Sequence, residues 1–207
     1  MRAELTRAFT LIELLVVMAV FAFVALLFLA GHVARSPRIN CVNNLKQVGL
    51  AYRIWALDHN DKFPMQVSIT NGGSLEFVDG GAAFWHFRPL SNELSSAKVM
   101  VCPADKKRKA ASGFGSDFND QHLSYFVAVD ATPVNAMMFM AGDRNLTNGP
   151  PTTSHVLNLA TNPLIGWTAQ MHNCRGNIAL ADGSVQQFGT YKLRAAPGLS
   201  TNRLVMP

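Results

Sequence analysis

Cysteine is scarce in this chain of 207 residues, with only Cys41, Cys102 and Cys174 present. Three cysteines so widely separated fit neither a small disulfide framework nor a zinc module built from two CxxC pairs. Charge is also sparse, at 15% of residues, and Leu14 to Ala30 contains no polar side chain at all. No internal repeat is found, and no segment carries the alternating acids of an EF-hand loop. At this length one globular core plus an appendage is expected, and two independent cores are not.

The apolar run decides the class. Extended by Leu11, Ile12 and Gly31, it approaches the roughly 20 residues a helix needs to cross about 30 Å of hydrocarbon. The net charge of +5 does not point to nucleic acid, because Arg2, Arg7, Arg35, Arg38, Lys46 and Arg53 flank that run. The one dense basic cluster, Lys106 to Lys109, reads as a solvated loop. MRAELTRA is a short, net positive lead-in of the kind that precedes an exported segment and starts in the cytoplasm.

Beyond the run, Ser36-Pro37 should interrupt the helix with a kink or a locally unwound turn, since proline lacks the N–H that would bond back. Helical spacing then resumes with Cys41, Leu45, Val48, Tyr52 and Trp55 on one face. The expectation is one kinked helix from Phe9 to Leu57, membrane-spanning over 9–34 and amphipathic over 35–58. From Asp58 the pattern breaks into short apolar runs divided by turn residues. Strands are predicted at Met65–Ile69, Val99–Cys102, Leu123–Val129, Ala136–Ala141, Asn177–Ala181 and Ser184–Phe188, and Asn148 to Ser154 reads as an irregular loop. Asp182-Gly183 within NIALADGSVQQF is the clearest hairpin turn. The fold class is therefore α+β, a long N-terminal helix packed on a mainly antiparallel sheet over 59–207.

FTLIELLVVMAV, from Phe9, closely resembles the processing and assembly segment of type IV pilins and type II secretion pseudopilins. A basic leader over residues 1–8 ends in a small residue, Ala8. Phe9 and Thr10 follow, and a single carboxylate, Glu13, stands within the apolar segment. An acid in hydrocarbon costs roughly 2.5–3.5 kcal/mol on insertion scales and calls for a partner. The resemblance implies cleavage between Ala8 and Phe9 by a prepilin peptidase, methylation of the Phe9 amine, and pairing of that amine with Glu13 on assembly. Alanine at position 8 departs from the glycine usual in the family. The likeness extends more loosely through CVNNLKQVGLAYRIWALDHNDKFP, VCPAD, LSYFV and AGDRN to a terminal His-x9-Asp-Gly pattern, here His172 with Asp182-Gly183. A Cys41–Cys102 disulfide is what this likeness suggests, leaving Cys174 over.

Other chemistry is weaker in the sequence. His172, Cys174, Asp182, Cys102 and His122 can be arranged on paper as a nucleophilic or metal site, but no signature surrounds them. Asp182 is explained by its turn, and His172 by backbone bonding on the approach to the hairpin. No catalytic residue, metal ligand or cofactor is assigned, with calcium at AGDRN or ADGS as the lesser alternative. Trp55, Trp85 and Trp167 read as core. The expected protein is a structural subunit and not an enzyme: a pseudopilin of the inner membrane, N-terminus cytoplasmic and globular domain outside. Its expected partners are other pseudopilins, a prepilin peptidase and an inner-membrane assembly platform, with no nucleic acid. A membrane-tethered module binding an exported protein or polysaccharide is the alternative, and an extracytoplasmic hydrolase the third reading.

Overall fold

Pro37 stands in the first turn of a helix, where its missing N–H is no loss, and not in the middle of one. The interruption expected at Ser36-Pro37 divides two helices, α1 (Leu11–Val33) and α2 (Ser36–Asp58). The computed structural model describes residues 10–33, 36–147, 155–159, 164–196 and 203–207, and of residues 28–33 and 36 the backbone alone. Ala8, Phe9 and the loop expected at 148–154 lie outside these. The chain divides into two compact units, Met1–Pro37 and Arg38–Pro207. Nearly all of α2, the second half of the expected helix, therefore falls in the globular unit.

In the first unit, α1 is apolar on every side, and its side chains from Leu11 to Leu27 are exposed in the single chain. Among the described residues, no helix is long and apolar enough to cross a membrane.

The second unit is α+β. Its main sheet holds β1 (Tyr125–Ala128), β2 (Phe139–Asp143), β4 (Val156–Asn158), β6 (Arg175–Leu180), β7 (Val185–Gly189) and β8 (Arg203–Val205). The strand order is β4-β8-β1-β2-β6-β7, and every neighbouring pair is antiparallel. A small second sheet pairs β3 (Leu146–Thr147) with β5 (Gly166–Trp167). Two short helices, α3 (Phe84–Phe87) and α4 (Thr190–Arg194), complete the regular structure.

The face of α2 expected to be apolar is buried throughout: Cys41, Leu45, Val48, Tyr52 and Trp55 join one core with β1, β2 and β6. Every residue of β1 and β2 is buried, so these central strands read as continuous apolar runs and not as alternation. Two expected strands are not strands. Met65–Ile69 forms 3-10 turns at Pro64–Gln66 and Ile69–Asn71, and Val99–Cys102 follows another at Ala97–Met100. Proline at the start of the first, and Ser68 and Ser96 accepting from the backbone N–H two residues on, turn these segments locally. The β6–β7 hairpin turns at Asp182-Gly183, with Gly183 at φ 86° and the Asp182 carboxylate accepting from Ser184 N at 2.8 Å.

Candidate functional site

Four side chains from four separate stretches of the globular unit meet beneath α2. Cys41 comes from the first turns of α2, Cys102 from the segment after the 3-10 turn, Asp143 from the end of β2, and His172 from the turn before β6. Their ligand atoms all lie within 4.8 Å of one another, and all four residues are buried. The Cys41 thiol donates to Asp143 Oδ1 at 3.0 Å, Cys102 Sγ is 3.3 Å from His172 Nε2, and His172 Nε2 is 3.4 Å from Asp143 Oδ2.

Each position is imposed from outside the group. Asn177 on β6 donates both its backbone N–H and its Nδ2 to Asp143 Oδ2, at 2.7 and 2.9 Å. Gly142 brings the strand in close: a Cβ there would fall 2.6 Å from the Phe126 ring and 2.9 Å from the Asn177 carbonyl. After His172, Asn173 and Cys174 both take left-handed backbone, φ 52° and 60°, and Cys174 N bonds back to Thr168 O. Arg38 donates to the His172 carbonyl at 3.3 Å, tying that turn to α2. Asp105 and Arg144 flank the group with a two-pronged ion pair at 2.6 and 2.8 Å, and Ser124 donates to the same carboxylate.

The electrostatics follow from enclosure. Burial lifts Asp143 to about 6, with His172 opposing. Burial draws His172 down, but Cys102 and Asp143 outweigh it and hold the imidazole above its ordinary value. Cys41 is pushed up by burial, whereas Cys102 is drawn down by its interaction with Cys41 and by His172.

His172 thus bonds side chains and not only backbone, contrary to the sequence reading, and it lies among possible metal ligands where none was expected. The expected Cys41–Cys102 bridge is not formed: both cysteines are free thiols, although neighbours. Cys174 is exposed and apart, as is Asp182. VCPAD, AGDRN and the histidine of the terminal pattern, quoted separately along the sequence, converge here with CVNNLKQ; only Asp182-Gly183 does not. Sequence reasoning missed Asp143 as a partner of the cysteines, because the pairing depends on the β1–β2 register that sets Tyr125 opposite Asp143.

The arrangement does not make a cysteine nucleophile. Cys102 and Asp143 address the same imidazole nitrogen, so the carboxylate cannot orient the ring through the other one. Nor does any of the four line the three cavities described below or at Asp58–Asn71.

The second candidate is the start of α1. Thr10 N and Oγ1 donate to Glu13 Oε2 at 2.9 and 2.8 Å, and Glu13 N donates to Thr10 Oγ1 at 3.3 Å. This reciprocal pattern is a capping box, which satisfies backbone N–H groups left over at a helix start. Residues 6–29 match the prokaryotic N-terminal methylation motif. The matched span includes the expected cleavage site, Ala8 and Phe9, and both partners of the capping box. No curated protein and no solved structure matches the chain. The methylation motif, with an apolar helix ahead of an α+β unit whose main sheet is antiparallel, is consistent with a type IV pilin-like protein.

Two hollows among the described residues carry aromatic walls. One of about 370 Å³ is lined by Ile69, Gly73, Phe77, Trp85 and Arg88. Trp85 stacks on Phe77 with centroids 4.5 Å apart, and Arg88 lies 5.4 Å from the indole. Trp85 is therefore half-buried in a cleft wall, unlike Trp55 and Trp167, which are core. The other, about 200 Å³, lies between Met137, Phe139, Phe188 and Lys192.

Proposed function

We propose that this chain is a membrane-anchored pseudopilin, cut between Ala8 and Phe9 by a prepilin peptidase, methylated on the Phe9 amine, and assembled with copies of itself or related subunits. The observation that carries this reading is the methylation motif at residues 6–29. The membrane anchor rests on the sequence run Leu14 to Ala30, which continues past Leu27, the last described side chain of α1. Apolar side chains exposed all round a helix are costly in water and suit lipid or a bundle of like helices. The orientation rests on the resemblance to pilins, which puts the globular unit on the outer face of the inner membrane; Arg2 and Arg7 ahead of the run agree with it, but Arg35 and Arg38 behind the run offset the charge bias.

Such a subunit has a structural task. The helices bundle at the centre of a pilus-like or type II secretion filament, and Glu13 pairs with the Phe9 amine of a neighbour. The test is N-terminal sequencing of the chain expressed with and without a prepilin peptidase. A start at N-methylated Phe9 only with the peptidase is the expected result. A start after Ala30 or Ala34 identifies a secretory signal peptide and overturns the reading.

A second reading is favoured by the Phe77–Trp85–Arg88 cleft: a tethered module that binds an exported polysaccharide or protein. Aromatic faces beside a guanidinium suit a sugar ring or an aromatic side chain. Tryptophan fluorescence titrated with oligosaccharides, wild type against Trp85→Ala, separates the two. A saturable change lost in the variant favours binding, and none leaves the structural subunit.

A further inference from the structure

We propose that Cys41, Cys102, Asp143 and His172 form a structural zinc site. The four donors are two sulfurs, an imidazole nitrogen and a carboxylate oxygen, the set that tetrahedral zinc takes. They come from four separate stretches of chain, yet their ligand atoms fall within 4.8 Å of one another.

The spacing fits the ion. Zinc bonds of about 2.3 Å to sulfur, 2.0–2.1 Å to nitrogen and 2.0–2.2 Å to oxygen give tetrahedral edges of roughly 3.3–3.8 Å. Cys102 Sγ and His172 Nε2 stand 3.3 Å apart, and the Asp143 carboxylate lies 3.4 Å from the same nitrogen through Oδ2, the oxygen Asn177 holds, while Oδ1 is the one left to face the metal. Cys41 Sγ and Asp143 Oδ1, at 3.0 Å, need only a small separation to admit a metal. Calcium does not fit, since it takes six to eight oxygens and one carboxylate is offered here.

The surroundings are those of a closed site. Asn177 fixes Asp143 through two donors to Oδ2, leaving Oδ1 facing a thiol. Among the described residues Asp143 has no lysine or arginine ion partner. Arg38, close by, donates to the His172 carbonyl and to none of the four ligating groups. Two thiolates, a carboxylate and Zn²⁺ carry a net single negative charge, which the Arg38 guanidinium faces. Loading releases to solvent the proton of the Cys41 thiol and the one held by the Cys102–His172 pair, with no change of oxidation state. With four protein ligands no position remains for substrate, so the ion ties α2 to β2 and to the turn before β6 and does no chemistry.

The test uses the untagged full-length chain, purified in detergent without chelator from cells supplied with zinc sulfate. Metal analysis should find about one zinc per chain, falling at least tenfold in Cys102→Ser and His172→Gln. Cobalt(II) replacement in the wild type should give thiolate-to-cobalt charge transfer with intense tetrahedral ligand-field bands, a readout that no variant's folding affects. Removing zinc with a chelator should expose Cys41 and Cys102 to a thiol reagent that previously reached only Cys174. Three results overturn the proposal: absence of metal with free thiols, zinc content unchanged in both variants, or a Cys41–Cys102 disulfide in non-reducing mass spectrometry.

Discussion

Gly49 on α2 faces Gly183 in the β6–β7 turn so closely that a Cβ on Gly49 would lie 3.3 Å from the Gly183 Cα and carbonyl oxygen. Gly183 itself holds φ 86°, and its own Cβ would reach Arg53 Cγ at 3.8 Å. The turn is thus pressed against the helix, and a β-branched residue there meets a backbone conformation it rarely adopts. Gly183→Val should destabilise the globular unit by about 2–3 kcal/mol. Gly113→Val, in open space with ordinary backbone, should change it little. Thermal denaturation of the full-length chain followed by circular dichroism checks both, and equal melting temperatures would refute the close-packed turn.

His86 sets the acid response. It is buried, its Nδ1 lies 2.8 Å from Ser74 Oγ, and burial presses its pKa down to about 4 from 6.5, an interaction with the Phe77 backbone opposing. The unfolded chain binds this proton below pH 6.5 while the folded chain does so only below about 4. Stability from keeping His86 neutral is therefore whole above pH 6.5, falls through the window between, and is lost below it. The loss amounts to about 3 kcal/mol on the usual conversion. Urea midpoints of wild type and His86→Gln at pH 7 and pH 4.5 test this. The variant should lose markedly less on acidification, and parallel losses would remove His86 from the account.

What was legible in the sequence was local. The spacing of Cys41, Leu45, Val48, Tyr52 and Trp55 carried the core face of α2, and Asp182-Gly183 carried the hairpin, because each signal lies within a few residues. β8 was illegible: Arg203–Val205 becomes a strand only by sliding between β1 and β4. The cluster was illegible for the same reason. Cys41 and Asp143 are distant in sequence and meet through a sheet register, so their chemistry appears only once α2 lies on β1 and β2.

Arg144 and Asp105 form the one two-pronged ion pair beside the cluster, among the described residues, with the carboxylate nearly enclosed. Burial acts to raise Asp105, and Arg144 with Ser124 outweighs it, so the carboxyl stays below its ordinary value. Removing the cation strands a buried anion, which typically costs about 3–5 kcal/mol. Arg144→Met should lower stability by that order, and Asp105→Asn together with Arg144→Met should recover part of it. A double variant no more stable than Arg144→Met in urea titration would show that the pair acts through packing alone.

Glu13 has one task in the single chain and a second in the proposed assembly, and a single substitution can separate them. In the single chain its carboxylate closes the capping box with Thr10, and glutamine serves that purpose as well as glutamate. In the proposed assembly the same group must meet a positive charge among apolar neighbours, and only the ionised acid does so. In that proposal the amine of Phe9 supplies the charge, and since it is freed only when the leader is removed, cleavage and assembly would be coupled. Glu13→Gln should therefore keep the cap, the membrane insertion and the cleavage after Ala8, while incorporation into oligomers falls several-fold. Glu13→Ala should match that loss and also fray the start of α1. Glu13→Asp, one methylene shorter, should be partly defective. Membrane fractionation with cross-linking, and N-terminal sequencing of each variant as a control, measures all three. Equal yields of cross-linked oligomer from wild type and Glu13→Gln would reduce Glu13 to a helix cap.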